Sequence, residues 1–509
     1  MMRSSSVLLF WVIAAGLAAA GCTKSPPSCT DASRPTTEGL LENVSINSLD
    51  WVARTSHALG FKKGEANSLS SIAALYYKVG QSHHALEHYQ KALPIQREVG
   101  DRKEEAITLN NVGRAYDDLG QTQTSLEYYQ KALPLERELG DKKDEAVTLN
   151  NIGLAYDEMD QPQTSLEYYQ KALPLERELG DKKAEANTFD NTGSAYDGMG
   201  QPQASLEYYQ KGLVLERELG DRGCEASTLA SIGLAYDRMK QTQNALEHFD
   251  EALRLAREIG DKSCEASVLN GMAKAARHAR QPQKALEFYD KALLVEREAG
   301  DKDAEAITTC SIGGVYRQLA QPQKALEYYQ QTLPLLQETG EKSGEATTLR
   351  DIGWLYMDMR EPQKALQYFE KALPILRALG DKEYEALTLD NIGEIFGDAK
   401  QYQKALGFFE RALPIQMVAG DKRREAITFS RIGWVYNEAG QPQKAMEKLV
   451  KALAIAREAG DKRQPADPPS PHPTNRPVTQ APLAVSRRGR GIGSPAANIK
   501  SVRCKKAPH

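Results

Sequence analysis

The 509-residue sequence has little of what a catalytic or nucleic-acid-binding protein uses. It contains no Gly-rich phosphate loop, no Ser/His/Asp set and no Cys/His nucleophile constellation. Cysteine is scarce. Cys22, Cys29, Cys224, Cys264, Cys310 and Cys504 have neither metal-site spacing nor the pattern of a disulfide framework. Cys224 and Cys264 are equivalent points of neighbouring repeats. Such points are expected to lie about 10 Å or more apart, beyond the ~7 Å Cα separation that a bridge allows. His84 and His88 stand four apart, but no acidic or Cys third ligand accompanies them, so no metal and no cofactor is expected. Basic runs are absent before residue 463. Residues 463–509 hold nine Lys or Arg against Asp467 alone, which leaves the rest of the chain acidic and gives no sign of a nucleic-acid partner. The apolar stretch Val7–Ala20 is too short to span a bilayer. Aromatic residues are 7% of the chain, and Tyr (22) far outnumbers Phe (10) and Trp (4).

What the sequence does have is repetition. Residues 61–460 form ten 40-residue repeats with no insertion or deletion between them. Gly recurs at 60, 100, 140 and on to Gly460, and Asp follows it at most junctions, Glu341 and Phe61 being the departures. A catalytic pocket needs irregular, convergent side chains. A fixed period instead stacks equal modules, each packed on its neighbours, and repeats one surface.

In residues 101–140, Asp101 is placed to N-cap a helix whose buried face carries Ala106, Leu109, Val112, Gly113 and Tyr116. Gly120-Gln121 breaks it; elsewhere the turn reads Gln-Pro-Gln, with Pro suited to the first helical position. A second helix buries Leu126, Tyr129, Ala132, Leu133 and Leu135, and Gly140 ends it as a left-handed cap. Gly113, Gly153, Gly193 and Gly233 mark where the two helices approach closely, with Ala132, Ala172 and Ala252 on the other side. Pro94, Pro134, Pro174, Pro334, Pro374 and Pro414 fall inside the second helix, where a kink is expected. The reading is an all-α, right-handed superhelical solenoid of antiparallel helix pairs.

The pattern Leu109-x-x-Val112-Gly113-x-x-Tyr116, followed by Ser125, Tyr129 and Ala132, resembles the tetratricopeptide repeat. That unit has 34 residues. The longer form here is similar to repeats of kinesin light chains and of bacterial arrays found beside NTPase or caspase-like (CHAT) domains. The resemblance implies that first helices line a concave groove holding a protein or extended peptide. It places ligand contacts at Asn110 and Asn150, whose amides both donate to and accept from a peptide backbone. One residue per repeat adds an acidic stripe, Asp117, Asp157, Asp197 and Asp237, which switches sign at Arg277 and Arg317. Lys274, His278 and Arg280 make the first switched repeat basic, and such a boundary would orient a bipolar partner. Trp354 and Trp434 stand where Arg114 and Leu154 stand in their repeats and are candidate anchors.

The ends carry further expectations. Arg3, the apolar run and Ala19-Ala20-Gly21-Cys22 resemble a bacterial lipoprotein signal with its lipobox, Ala19 standing where Leu is usual. Residues 1–22 then form the signal, Cys22 takes the lipid, and Thr23 after it implies the outer membrane of the cell envelope. Residues 23–46 read as a flexible linker, 47–60 as a capping helix and 461–509 as a disordered, basic, Pro-rich tail. Leu449, Val450, Leu453 and Ile455 end the array without a polar cap, an end suited to self-association or to a further domain lost to a shifted reading frame. The function expected is a non-catalytic, membrane-tethered binding scaffold. A CHAT-associated sensor array and an envelope-assembly scaffold are the alternatives.

Overall fold

The computed structural model describes residues 37–459; the signal, Cys22 and the basic tail lie outside the described residues. The described residues are all helix and turn, with no strand. The chain divides between Asp221 and Arg222 into two compact units. The first holds a leading helix, Thr37–Ala58, and the pairs Lys62–Lys78 with Ser82–Val99, Arg102–Asp118 with Thr122–Leu139, Lys142–Glu158 with Pro162–Leu179 and Lys182–Gly198 with Pro202–Leu219. The second begins at the pair Arg222–Arg238 with Thr242–Ile259 and ends at Lys422–Glu438 with Pro442–Glu458. Helices adjacent in sequence pack on each other in both units, and first helices of successive repeats come into direct contact along most of each unit. Each unit is therefore a two-layered, all-α solenoid, first helices in one layer and second helices in the other.

The hairpin contact is an aromatic ring on a glycine. A Cβ on Gly113 would lie 2.5 Å from the Tyr129 ring, and Gly193, Gly233, Gly313, Gly353 and Gly393 meet Tyr209, Phe249, Tyr329, Phe369 and Phe409 in the same way. Only a residue without a Cβ lets the ring lie on the backbone at this distance. Tyr129, Ala132 and Ser125 are buried behind it. A second ring pair flanks the hairpin: Tyr116 stacks on Tyr128 with centroids 5.4 Å apart, and Phe396 on Phe408 does the same. His84 and His88 both stack on Tyr76, His88 taking the place of the second tyrosine.

Prolines sit within continuous second helices. Ser82–Val99 runs through Pro94, whose side chain is exposed, so the carbonyl deprived of its helical donor is on the water-facing side. At the helix ends, Gly100 and Gly140 are left-handed (φ 70° and 66°), and the following amide closes back over the last turn, Asp101 N–H to Gln96 O at 2.9 Å. Asp181, Asp301 and Asp421 cap the next helix by accepting from the third amide along. Asp101 departs from the expectation. It makes no side-chain cap hydrogen bond and instead takes Lys63 at 2.8 Å. The leading helix starts at Thr37, ahead of residue 47, because no proline interrupts the chain there. Its Ala53 is buried with Leu69 and Ala92 of the first repeat. In the last repeat Met446 and Val450 are 63% and 57% exposed, whereas Leu126, equivalent to Met446, is 4% exposed.

Between repeats lies a buried polar triad. Thr148 Oγ1 accepts from the Asn110 amide and donates to Glu136 Oε1 at 2.7 Å; Thr188 joins Asn150 and Glu176, and Thr308 joins Asn270 and Glu296. In each the second carboxylate oxygen is buried without a partner. Burial pushes the carboxyls of Glu136 and Glu176 up to about 7. Gln96 and Gln416 fill the same place at two other junctions and bond the same threonine. In the unfolded chain these glutamates would ionise near 4.5. Below that value both states hold the proton and the sites do not oppose folding. As pH rises toward about 7 the unfolded chain ionises first, and stability falls by about 1.4 kcal/mol per pH unit per site. The double variant Glu136→Gln, Glu176→Gln should therefore melt as the native chain does at pH 4 and clearly higher at pH 8. An equal melting difference at both pH values would contradict the assignment.

Candidate functional site

The first-helix layer presents the face on which every candidate residue was placed. In the first unit, Asp117 and Asp157 are half-buried. Asp117 accepts from the buried Tyr129 hydroxyl at 2.5 Å, and Asp157 accepts from Tyr169 at 2.8 Å and Ser165 at 2.5 Å. Burial raises the Asp117 carboxyl, with the Ser125 and Tyr129 hydroxyls working the other way. Asp197 is half-buried at the equivalent place, with Tyr209 in its repeat. The stripe is thus a row of acceptors anchored from the core. Asn110 is buried and its amide is committed to Thr148, while Asn151 donates to its carbonyl at 2.9 Å. Asn150 is half-buried and gives its amide to Glu176 and Thr188. Arg114 covers the Tyr77 ring at 4.9 Å.

In the second unit, repeat five has Phe249 in place of the tyrosine, and the buried Asp237 instead meets His278 Nδ1 of the next repeat at 2.7 Å. Arg277 and Arg317 then replace the aspartate; Arg317 pairs with Asp358 at 3.1 Å. Met357 and Gly397 replace it where the ring is Phe369 and Phe409. In those two repeats the hydroxyl and its acceptor are lost together. Trp354 and Trp434 are both half-buried. Trp354 meets Phe369 edge-on at 6.1 Å, and the Trp434 ring lies against Gly397, 2.7 Å from where a Cβ would stand. Further along, Arg431 holds Glu394 at 2.8 Å.

A tetratricopeptide repeat family model matches residues 64–138, 125–178, 144–215, 264–338 and 384–458, more than half of the chain. The chain belongs to the tetratricopeptide repeat family. A second tetratricopeptide repeat model matches 226–259 and 346–382. Among solved structures, the signal-transduction ATPase with a tetratricopeptide repeat sensor from Pyrococcus horikoshii is 14% identical over 84% of this chain and 67% of its own, with a TM-score of 0.53. BtubC from P. vanneervenii is 24% identical over 49% of this chain and 98% of its own, at a TM-score of 0.41. A Rap protein complexed with Competence and Sporulation Factor is 14% identical over 70% of this chain and 99% of its own, at 0.45. No curated protein matches. These likenesses bear on the fold alone.

As a tetratricopeptide repeat scaffold, the chain varies where packing does not decide. The place of Arg114 is Ala74 in the first repeat, then Leu154, Ser194, Leu234, Lys274, Gly314, Trp354, Glu394 and Trp434 in turn. The triads at the junctions escaped the sequence reading, because Glu136 within Leu-Glu-Arg-Glu-Leu has the look of a solvated helix face. The Thr two places before Asn110 and Asn150, which recurs in all repeats but those of Ser68 and Val268, was the signal available.

The pairing of Asp157 with Tyr169 is testable on the protein's own alternative. Asp157→Met leaves the buried hydroxyl without its acceptor and should cost about 1–3 kcal/mol in a denaturant titration. Adding Tyr169→Phe, which reproduces the Met357 and Phe369 pair, should recover most of that loss. Losses that simply add would show that the two side chains are not coupled.

Proposed function

We propose that this tetratricopeptide repeat scaffold is a non-catalytic binding protein that holds an extended peptide or protein segment along its first-helix face. The carrying observation is the contrast just described. Most repeats keep the ring, glycine and alanine, the departures being small or apolar (Ala73, Ala273, Leu449, Gly212) apart from Thr332, while the adjacent place, exposed or half-buried, holds Ala, Arg, Leu, Ser, Lys, Gly, Trp or Glu. A surface of that kind reads an irregular partner, residue by residue, over a regular frame. The half-buried aspartates offer pre-oriented acceptors to partner amides and cations. Trp354 and Trp434 offer apolar faces already fixed by packing. Asn110 and Asn150 act one layer down, holding neighbouring first helices in register.

The tether completes the reading. Ala19-Ala20-Gly21-Cys22 is suited to lipidation at Cys22, which would hold the scaffold at the bacterial cell envelope, on the outer membrane, by acyl chains rather than by a spanning segment. Among the described residues no helix is long and apolar enough to cross a membrane. The exposed Met446 and Val450 offer a surface for self-association at the end of the array.

Two experiments test this. Peptides selected on the full chain from a displayed random library should bind more weakly, and with a shallower salt dependence, after Asp117, Asp157, Asp197 and Asp237 are changed to Asn. Asn keeps the oxygen that the Tyr129 and Tyr169 hydroxyls need, and at 237 it keeps an acceptor for His278; the melting curve of the variant checks the fold. Unchanged affinity and salt slope would remove the acidic stripe from the binding surface. For the tether, the intact mass of protein taken from its native membrane fraction should match a chain beginning at acylated Cys22. A mass with unmodified Met1 at its start would contradict the anchor.

A further inference from the structure

In the second unit the hairpin turns carry a line of cations. The turn residue is left-handed, and glycine fills that place without strain at Gly120, Gly200 and Gly440 (φ 70°, 68° and 70°). Lys240, Arg280, Arg360 and Lys400 hold the same backbone at φ 58° to 62°. A long cation kept in a strained place points to a use for the cation. All four are exposed, and none has an ion-pair partner among the described residues.

A second rank stands in the first turn of the second helices. Residue 284 and every fortieth after it to 444 is Lys, where the earlier repeats have His84, Thr124, Thr164, Ala204 and Asn244. All five lysines are exposed. Lys324, Lys364, Lys404 and Lys444 lie over the rings of Tyr316, Tyr356, Phe396 and Tyr436, 5.2 to 5.5 Å from the centroids. The ring holds each ammonium in place without neutralising it. Acids do little to offset the two ranks. Glu361 takes Lys364 at 2.5 Å, and Asp358 is engaged by Arg317. Glu287 and Glu327 stand a turn further on, but the next two repeats have Gln367 and Gly407 there.

Both ranks lie along one edge. Asp237 meets His278 and Arg317 meets Asp358, forty-one positions on, so the ends of successive first helices lie side by side. At the opposite edge, where repeats join, the charges are compensated. Arg222 pairs with Glu258 and Lys262 with Glu298, both at 2.5 Å. The hairpin edge is thus the one whose charge faces outward unanswered. Tyr316, Tyr356 and Phe396 have both a lysine and a stacked ring against them, which leaves a nucleic-acid base little to stack on.

We propose that this edge of the second unit rests on an anionic lipid surface, its lysines and arginines reaching the headgroup phosphates. A plane of phosphates suits long-stemmed cations set a helix spacing apart, whereas a single small anion would need them convergent. The tether proposed at Cys22 supplies the setting, and the proposal rests on that reading for the setting alone. It assigns an orientation, with the hairpin edge toward the membrane.

The test is co-sedimentation of the full chain with vesicles, using Cys22→Ser so that no acyl chain contributes. The chain should bind vesicles of phosphatidylcholine and phosphatidylglycerol in equal parts, less so at raised salt, and pure phosphatidylcholine hardly at all. Changing Arg360 and Lys400 to Gly, and Lys364 and Lys404 to Thr, restores residues of earlier repeats at those places. It should weaken binding about tenfold or more. Arg360→Gly with Lys400→Gly alone should weaken binding yet raise the melting temperature, since glycine relieves the turn. A merely structural role would not move the two in opposite directions. Lys262→Gln with Glu298→Gln, which removes a joint pair, should leave binding unchanged. The basic residues after 462 stay in every variant. No binding, equal binding to both vesicles, or binding indifferent to the four changes would overturn the proposal. So would a joint-pair variant that weakens binding as much. A single-stranded oligonucleotide bound more tightly than the vesicles, and lost with the same four changes, would overturn the lipid assignment. Each of these outcomes is independent of the intact mass that tests the anchor.

Discussion

An aromatic ring packed on a glycine of the facing helix is the contact on which most of the repeats depend, Ala73, Ala273 and Leu449 being the departures. It sets the closest approach of the two helices, and with it the burial of Ala132, Ser125 and their equivalents. It also reaches further than packing. In the repeats of Asp117 and Asp157, the hydroxyl at the far edge of the ring emerges under the first-helix face and fixes a carboxylate there. Met357 and Gly397 stand at that place in the repeats of Phe369 and Phe409, where hydroxyl and acid are lost together, whereas repeat five keeps Asp237 with Phe249 and gives the acid to His278 instead. In the repeats of Asp117 and Asp157 the same ring thus serves both the spacing of the frame and the acid displayed on it.

The junctions between repeats rest on a different balance. A left-handed glycine and a closed last turn fix the angle at which one repeat hands over to the next. Ion pairs such as Arg137 with Glu145 at 2.7 Å cover the joint from outside, each worth little on its own. Beneath them the triad of Thr, Asn and Glu is buried, and its partly satisfied carboxyls make the joints sensitive to ionisation near neutral pH in a way the apolar hairpins are not. At the junction where Leu336 replaces the carboxylate, Thr348 faces Cys310 at 3.8 Å instead. The chain therefore carries joints of several chemistries on one geometry.

Much of the frame was legible because its causes are local and periodic. Gly100 and Gly140 mark helix ends, Gly113 marks a close approach, and the helical spacing of apolar residues marks the buried face. Residues whose role depends on a neighbour forty positions away were harder to place. Glu136 has a surface sequence context and a buried position, since the covering groups belong to the next repeat. Asn110 carries an amide suited to peptide recognition, yet the burial that commits it to Thr148 appears only once the first helices are set side by side. The turn between helices was read from Gly120, but Asp160, Lys240, Arg280, Ala320, Arg360 and Lys400 adopt the same left-handed backbone (φ 54° to 62°) without being glycine. There the tertiary frame overrides local preference. Trp354 and Trp434 lie on first helices, and their seats against Phe369 and Gly397 depend on neighbouring rings and gaps that no spacing rule encodes.

The two units differ in what their first helices display: aspartates anchored by tyrosine hydroxyls on the first, and Arg277, Arg317 and two tryptophans on the second. The claim that this layer is the binding face is tested most directly by site-specific photo-crosslinking of the full chain in the cells that produce it. A photoreactive side chain would be placed in turn at residues 154 and 274 of the first helices, and at 174 and 371 of the second. A partner captured from the first-helix sites and not from the others is the expected result. Capture from the second-helix sites alone, or equally from both layers, would contradict it.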